Sequence, residues 1–399
     1  MTNRIETTAV HAARGDFRVI GVHAPPLDLS TTYPIEELSH ATADLDAMLG
    51  GERPNSEKIY ARLDNPTVSR FERAFAELEH ADDSVAFGSG MAAITAVLLA
   101  AKQRGNHVVA VRPIYGSTDH LLTCGLLGLD VTWATPETVG ESIRNDTSLV
   151  MIETPGNPTL ALVDIADVVR QAGKVPVVVD STFATPILQN PIALGATMAL
   201  HSATKYIGGH GDVIAGVIAA NDEWAKQLRI VRLLTGGLLH PMAAYLLHRG
   251  LQTLPIRVRA AQANAMVLAE RLMNHDAIED VRYPALPGCD PHNIVGTQMA
   301  GPGAMIAFTV HGGHEAAAAV MRAVNLATPA VSLGSCDTLI EHPAGLTHRV
   351  VEPEALAEQG IKPGMLRLSV GLEHVEDLWT DLDAALTAAV GAHEVVAAG

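Results

Sequence analysis

From Thr67 onward, short apolar runs alternate with stretches of helical spacing. Val68 to Leu78 sets Phe71, Phe75 and Leu78 on one face and predicts a helix. Val85-Ala86-Phe87 predicts a short strand, and beyond Gly88-Ser89-Gly90-Met91 an apolar helix runs to Ala101. Further strands are expected at His107–Val111, Leu149–Glu153, Val177–Asp180 and Met198–Leu200, and an apolar run fills Val213–Ala220. Strands this uniformly apolar do not alternate in polarity. They predict an α/β fold with a mostly parallel sheet covered on both faces.

The flanks differ. Residues 1 to about 60 lack a sustained period, and Pro25-Pro26, Pro34, Pro54 and Gly50-Gly51 break any long helix. A short helix is expected over Ile35–Leu49, within an arm that wraps a partner subunit or crosses its own domain. Around Leu251–Arg259 a long helix leaves the main unit and continues through Ala260–Met273. A smaller α+β unit follows, with strands near Ala304–Val310 and Met365–Val370 and helices near Glu315–Val324 and Val375–Val390.

Composition narrows the classes. The chain has 399 residues, 48% of them hydrophobic and 18% charged, enough for two or three domains with a large core. The formal net charge of −17 disfavours nucleic acid as a partner. Cys124, Cys289 and Cys336 are scattered and odd in number, so neither a disulfide framework nor a zinc site is expected. No histidine spacing suggests a metal ligand set. Met1–Val10 has no apolar core of a secretory signal, and no apolar run spans a bilayer. The expectation is a cytoplasmic protein without a membrane or metal partner.

The polar motifs follow the strands, where open α/β sheets gather their ligands. The most informative is His201-Ser202-Ala203-Thr204-Lys205-Tyr206-Ile207-Gly208-Gly209. A lysine in partly apolar surroundings loses its proton readily and can attack a carbonyl to form a Schiff base. Gly88-Ser89-Gly90-Met91 joins a strand to a helix N-terminus, a setting for an anion or simply a tight turn. Asp180 ends a valine run, as the partner of a protonated ring nitrogen or as a turn aspartate. Tyr60-Ala61-Arg62 pairs an aromatic hydroxyl with a guanidinium suited to phosphate, or forms an irregular loop with a salt bridge. Tyr115-Gly116 ends a strand, where the ring can stack on a planar cofactor or pack as a half-buried tyrosine. Arg367, inside the apolar Met365–Val370 run, needs an anion: a substrate carboxylate or an interdomain acid.

Taken in order, YARLDNPT (Tyr60–Thr67), GSGMAAI, Tyr115-Gly116, ETPGNPT (Glu153–Thr159), VVVDSTFATP (Val177–Pro186), HSATKYIGGHGD, AVSLG (Ala330–Gly334), HPAGLTH and LRLSVGLE resemble one family over almost the whole chain. It is the pyridoxal-phosphate enzymes of cysteine and methionine metabolism: methionine γ-lyase, cystathionine γ-lyase, cystathionine γ-synthase and the homoserine-ester sulfhydrylases. The resemblance implies the fold-type I architecture with a seven-stranded-type sheet. It divides the chain into an arm over 1–60 that contacts a neighbouring subunit, a cofactor domain over 61–250 and a C-terminal domain over 251–399. It implies a homotetramer of two active dimers and pyridoxal 5′-phosphate as cofactor.

Residue by residue, Lys205 matches the lysine that carries the cofactor and Asp180 the partner of its ring nitrogen. Gly90, Met91, Ser202 and Thr204 match its phosphate cradle. Tyr60 and Arg62 match phosphate ligands supplied by the neighbouring subunit. Tyr115 matches the stacking tyrosine proposed as an acid, and Ser332 and Arg367 match the clamp on the substrate carboxylate. The implied reaction is γ-elimination from a γ-substituted L-amino acid, methionine first. Cystathionine chemistry, sulfhydrylation of a homoserine ester and a specialised natural-product amino acid are the alternatives. Val331 fits the methionine γ-lyase pattern. Ser117, Asp119-His120 and Arg232-Leu233 depart from it, at places expected near the distal end of the substrate.

Overall fold

The structure, a computed structural model, describes residues 3–56 and 58–397. Of the expected arm, Met1, Thr2 and Glu57 lie outside the described residues, as do Ala398 and Gly399 of the expected C-terminal domain.

Three helices precede the sheet: α1 (Ile5–His11), α2 (Phe17–Ile20) and α3 (Leu38–Leu49). The third starts later than expected because the Glu37 side chain accepts from the Ser39 N–H and caps it there. The arm is less self-averse than its sequence suggests. Ala9, Ala12 and Phe17 are buried, and Arg70 donates to Asp16. Val19, Leu29, Ile35 and Leu38 nevertheless stay exposed.

Helix α4 (Pro66–Glu79) is set by its own residues. Asn65 accepts from the Thr67 and Val68 N–H groups, and Pro66 occupies the first turn. The main sheet then forms from β1 (Asp83–Phe87), β2 (His107–Val111), β3 (Asp130–Ala134), β4 (Thr147–Glu153), β5 (Val177–Asp180), β6 (Met198–His201) and β7 (Gly216–Ala220). Their order is β1-β7-β6-β5-β4-β2-β3, parallel from β3 through β6, with β7 antiparallel to both its neighbours. The strands are apolar throughout because both faces are covered. Val85, Val108, Met151, Val178 and Leu200 pack beneath α5 (Gly90–Lys102), and alternate residues such as Val109, Ile152 and Val179 pack on the opposite side. Helix α6 (Gly116–Thr123) follows β2.

The long helix expected from about Leu251 to Met273 is present as Leu254–Met273, and a shorter helix that was not expected, Pro241–Leu251, precedes it. Pro255 lacks an N–H and sits in the first turn of the longer helix, so the chain breaks just before it. The later unit also holds more strands than the two foreseen. A second sheet runs β10-β11-β12-β9-β8, from β8 (Ile278–Arg282), β9 (Met305–Val310), β10 (Thr328–Pro329), β11 (Leu339–Glu341) and β12 (Met365–Ser369). Strand β8 is half-buried and carries charges, while β10 and β11 are two and three residues long, so none stands out as a run. A helix over Gly313–Ala323 and another over Val375–Ala397 pack together beside this sheet.

Candidate active site

The main sheet delivers its polar residues to one place. Beyond the ends of β1, β2, β4, β5 and β6, a cavity is lined by Gly90 and Met91, by Tyr115, by Glu153 and Asn157, by Asp180 and Thr182, and by Ser202, Thr204 and Lys205. Ser332 and Arg367 close it from the C-terminal unit. All of the expected site residues meet here except Tyr60 and Arg62. Those two line a separate cleft with Asn65, Arg232 and His240, where the Arg62 guanidinium lies 5.5 Å from the Tyr60 ring centroid.

Lys205 is a perturbed base at the centre. Burial, then the Arg367 charge, lowers its pKa to about 8, while Glu341 opposes the shift. Its Nζ donates to Ser332 Oγ at 2.8 Å. Ser332 has φ +95°, unusual for a residue with a side chain, and its carbonyl oxygen accepts from Arg367 at 2.9 Å. The loop can lie this close because Gly334 follows. A Cβ there would meet the Tyr206 nitrogen at 2.5 Å, and Gly334 has φ +74°.

Asp180 and Glu153 are register partners on adjacent parallel strands. Burial raises the carboxyl pKa of both, and for Glu153 the neighbouring Asp180 adds to the rise. The Thr182 hydroxyl and N–H both donate to Asp180 Oδ1. Glu153 accepts from the Tyr115 N–H at 2.7 Å and from the Asn157 N–H at 3.0 Å. It therefore fixes the loops that carry Tyr115 and Asn157, a function no motif in the sequence advertised.

The donor set fits a planar aldehyde bearing a phosphate. Ser89 caps α5 by accepting from the Ala92 N–H, and the first N–H groups of a helix have no intrahelical partner. A Cβ on Gly90 would stand 3.1 Å from Ser202 Oγ, so a side chain would fill the cradle between them. The helix N-terminus and Ser202 offer donors of the kind an anion takes, while the Thr204 hydroxyl donates to the Ala215 carbonyl oxygen and accepts from the Ala215 N–H. Lys205 supplies an amine, and Asp180 a buried carboxyl group whose hydrogen bonds, among the described residues, come from Thr182.

Residues expected near the distal end of the substrate lie elsewhere in the single chain. Asp119 is buried against Arg112, whose Nε lies 2.6 Å away, and His120 is exposed. Arg232 is locked to Glu72 and the Ala86 carbonyl oxygen. Neither Ser117 nor Leu233 is among the lining residues. The cavity mouth instead carries Ile214, Val331 and Leu346, all exposed.

Known proteins resemble this chain over nearly its whole length. A sequence profile described as Cys/Met metabolism PLP-dependent enzyme matches residues 6–387. The chain is 54% identical, over 96% of its length and 97% of the relative's, to an L-methionine γ-lyase of Brevibacterium sandarakinum. It is 53% identical to an L-methionine γ-lyase of Streptomyces avermitilis, over 96% and 89%. Among solved structures, a cystathionine γ-synthase from Xanthomonas oryzae pv. oryzae in complex with aminoacrylate and cysteine superposes with a TM-score of 0.90. That pair is 34% identical, over 98% of this chain and 100% of that one.

Proposed function

The chain belongs to the Cys/Met metabolism PLP-dependent enzyme family, and from that premise we propose that it performs γ-elimination on L-methionine. The observation that carries this reading is the Lys205 amine, with its proton lost near pH 8, hydrogen-bonded to Ser332 within a cavity that Arg367 closes.

Pyridoxal phosphate bound here supplies an electron sink for the bonds at the substrate's α and β carbons. The N-terminus of α5 and Ser202 would hold its phosphate, joined by Thr204 once its hydroxyl turns from the Ala215 carbonyl oxygen. Asp180 would serve as counter-charge to the cofactor's ring nitrogen, whose proton would offset the burial that raises the carboxyl pKa. Arg367 and the Ser332 backbone orient the substrate carboxylate. Lys205 takes a proton from one substrate carbon and returns it at another, with Ser332 Oγ steadying its nitrogen. The Tyr115 hydroxyl gives a proton to the departing sulfur. Glu153 holds the Tyr115 backbone in place for that step. The apolar mouth at Ile214, Val331 and Leu346 suits a thioether better than a charged side chain.

The proposal includes a homotetramer in the cytoplasm, with Tyr60 and Arg62 reaching a second copy's phosphate site. Their separation from Lys205 in one chain supports that shared site. The whole is tested by incubating purified chain and cofactor with L-methionine and no thiol acceptor. Equimolar 2-oxobutanoate, ammonia and methanethiol are expected. Turnover only with an activated homoserine plus a thiol would replace the lyase by a synthase.

A further inference from the structure

Arg367 is an arginine at 2% exposure, and a buried charge needs a partner before any substrate arrives. Its surroundings identify that partner. Strands β11 and β12 pair antiparallel with Glu341 opposite Arg367, so both side chains project to the same face. On the other neighbouring strand the residue opposite Arg367 is Ala307, which takes up little space. The Arg367 guanidinium forms an ion pair with Glu341 Oε1 at 2.8 Å, and both side chains are almost wholly buried; its hydrogen bonds go to Asn157 Oδ1 and to the Ser332 carbonyl oxygen. The same Glu341 oxygen accepts from Thr347 Oγ1 at 2.9 Å. Thr347 lines the cavity, and its carbonyl oxygen lies against Gly116, the residue after Tyr115.

We propose that Glu341 is the built-in counterion of Arg367: it aims the guanidinium at the substrate carboxylate, ties the Thr347 loop to it, and tempers the positive charge felt at Lys205. This rests on reading Arg367 as the carboxylate clamp. Around the guanidinium stand Glu341 from β11, Glu153 from the end of β4, Tyr115 before α6, Tyr206 after β6, and His348 from the loop. His348 is kept neutral, its pKa lowered to about 4 by burial and by Arg367. Glu153 is pushed toward its protonated form by burial and by Asp180. Glu341 is thus the acid that balances Arg367. Lys205 feels both members of the pair, with opposite signs.

Glu341→Gln keeps an acceptor for Thr347 and a polar oxygen beside Arg367 but removes the charge, whereas Glu341→Ala removes both. In the holoenzyme, the pH midpoint of the bound cofactor's visible absorbance reports the proton at the Lys205 nitrogen. Both variants should lower that midpoint by roughly half a unit or more, since an anion that favoured the proton is gone. KM for the amino acid should hold within about threefold in Glu341→Gln and rise about tenfold in Glu341→Ala, the size of a lost charged hydrogen bond. A midpoint unmoved in Glu341→Gln overturns the inference, and that arm decides alone where the alanine variant does not fold. A purely structural residue would leave the midpoint in place. Arg367→Ala separates the two readings. Native KM in that variant removes the clamp itself, while a raised KM there with native KM in a folded Glu341→Ala removes only Glu341.

Discussion

A lysine enclosed by apolar groups resists its own proton, and Lys205 resists it because burial acts first and the Arg367 charge second. Its folded pKa of about 8 lies below the ordinary 10.5, so the sign of its effect on stability is fixed. Below pH 8 the folded protein must hold a buried ammonium and is penalised in full. Between pH 8 and 10.5 the folded state sheds the proton first and the penalty shrinks; above 10.5 it is gone. In the cofactor-free protein, Lys205→Met should therefore be more stable than the native chain by on the order of 2–3 kcal/mol at pH 7, with the gap closing above pH 10.5. Urea unfolding at pH 7 and pH 11 checks this, and a gap independent of pH removes the charge explanation. The lysine, Asp180 and Tyr115 were legible because each stands at or near a strand end, and Arg367 because it interrupts an apolar strand. Glu341, Glu153 and Thr347 were not. What makes them matter is register and cross-strand facing, which no local run of residues encodes.

At the level of elements, the cradle depends on how closely α5 meets the segment after β6. Gly90 lies in the first turn of α5 with Ser202 side-chain atoms 3.1 and 3.2 Å from where a Cβ would sit. Gly90→Ala should thus separate stability from cofactor affinity, which usually travel together. Alanine favours the helix by up to about 1 kcal/mol, so the melting temperature of the cofactor-free protein should hold or rise. The added methyl crowds the anion site, so the affinity for pyridoxal phosphate should fall about tenfold, as expected for roughly 1.4 kcal/mol lost. Equilibrium dialysis beside a thermal melt reads both, and equal affinity would place the phosphate elsewhere. The main sheet was readable because strands buried on both faces show as unbroken apolar runs. The edge strand β3 is half-exposed, and the Val213–Ala220 run becomes a strand only at Gly216, after its first residues have turned beside the Lys205 loop. Where one face meets solvent or the strand is two or three residues long, as in β8, β10 and β11, the pattern carries too few positions to be seen.

At the scale of the whole molecule, one chain keeps two groups of residues apart. Lys205, Asp180 and the start of α5 line one cavity, and Tyr60 and Arg62 line a cleft of their own. The exposed apolar residues of the arm, Val19, Leu29, Ile35 and Leu38, mark a surface that a second copy can cover. If Arg62 serves the partner's phosphate site, damage to the two groups must complement. Chains carrying Lys205→Ala alone are inactive, and chains carrying Arg62→Ala alone hold the cofactor weakly. In a mixed dimer, one site has both defects. The other has Lys205 from one chain and Arg62 from its partner, and is whole. Statistical mixing of equal amounts should then restore roughly a quarter of the native activity per site, as two-fold symmetry requires. The recovered activity should follow the exchange of subunits and saturate at a low cofactor concentration that does not fill the Arg62→Ala protein. Mixtures that show only the sum of the two separate activities, after exchange is verified by mass, would return Arg62 to its own chain.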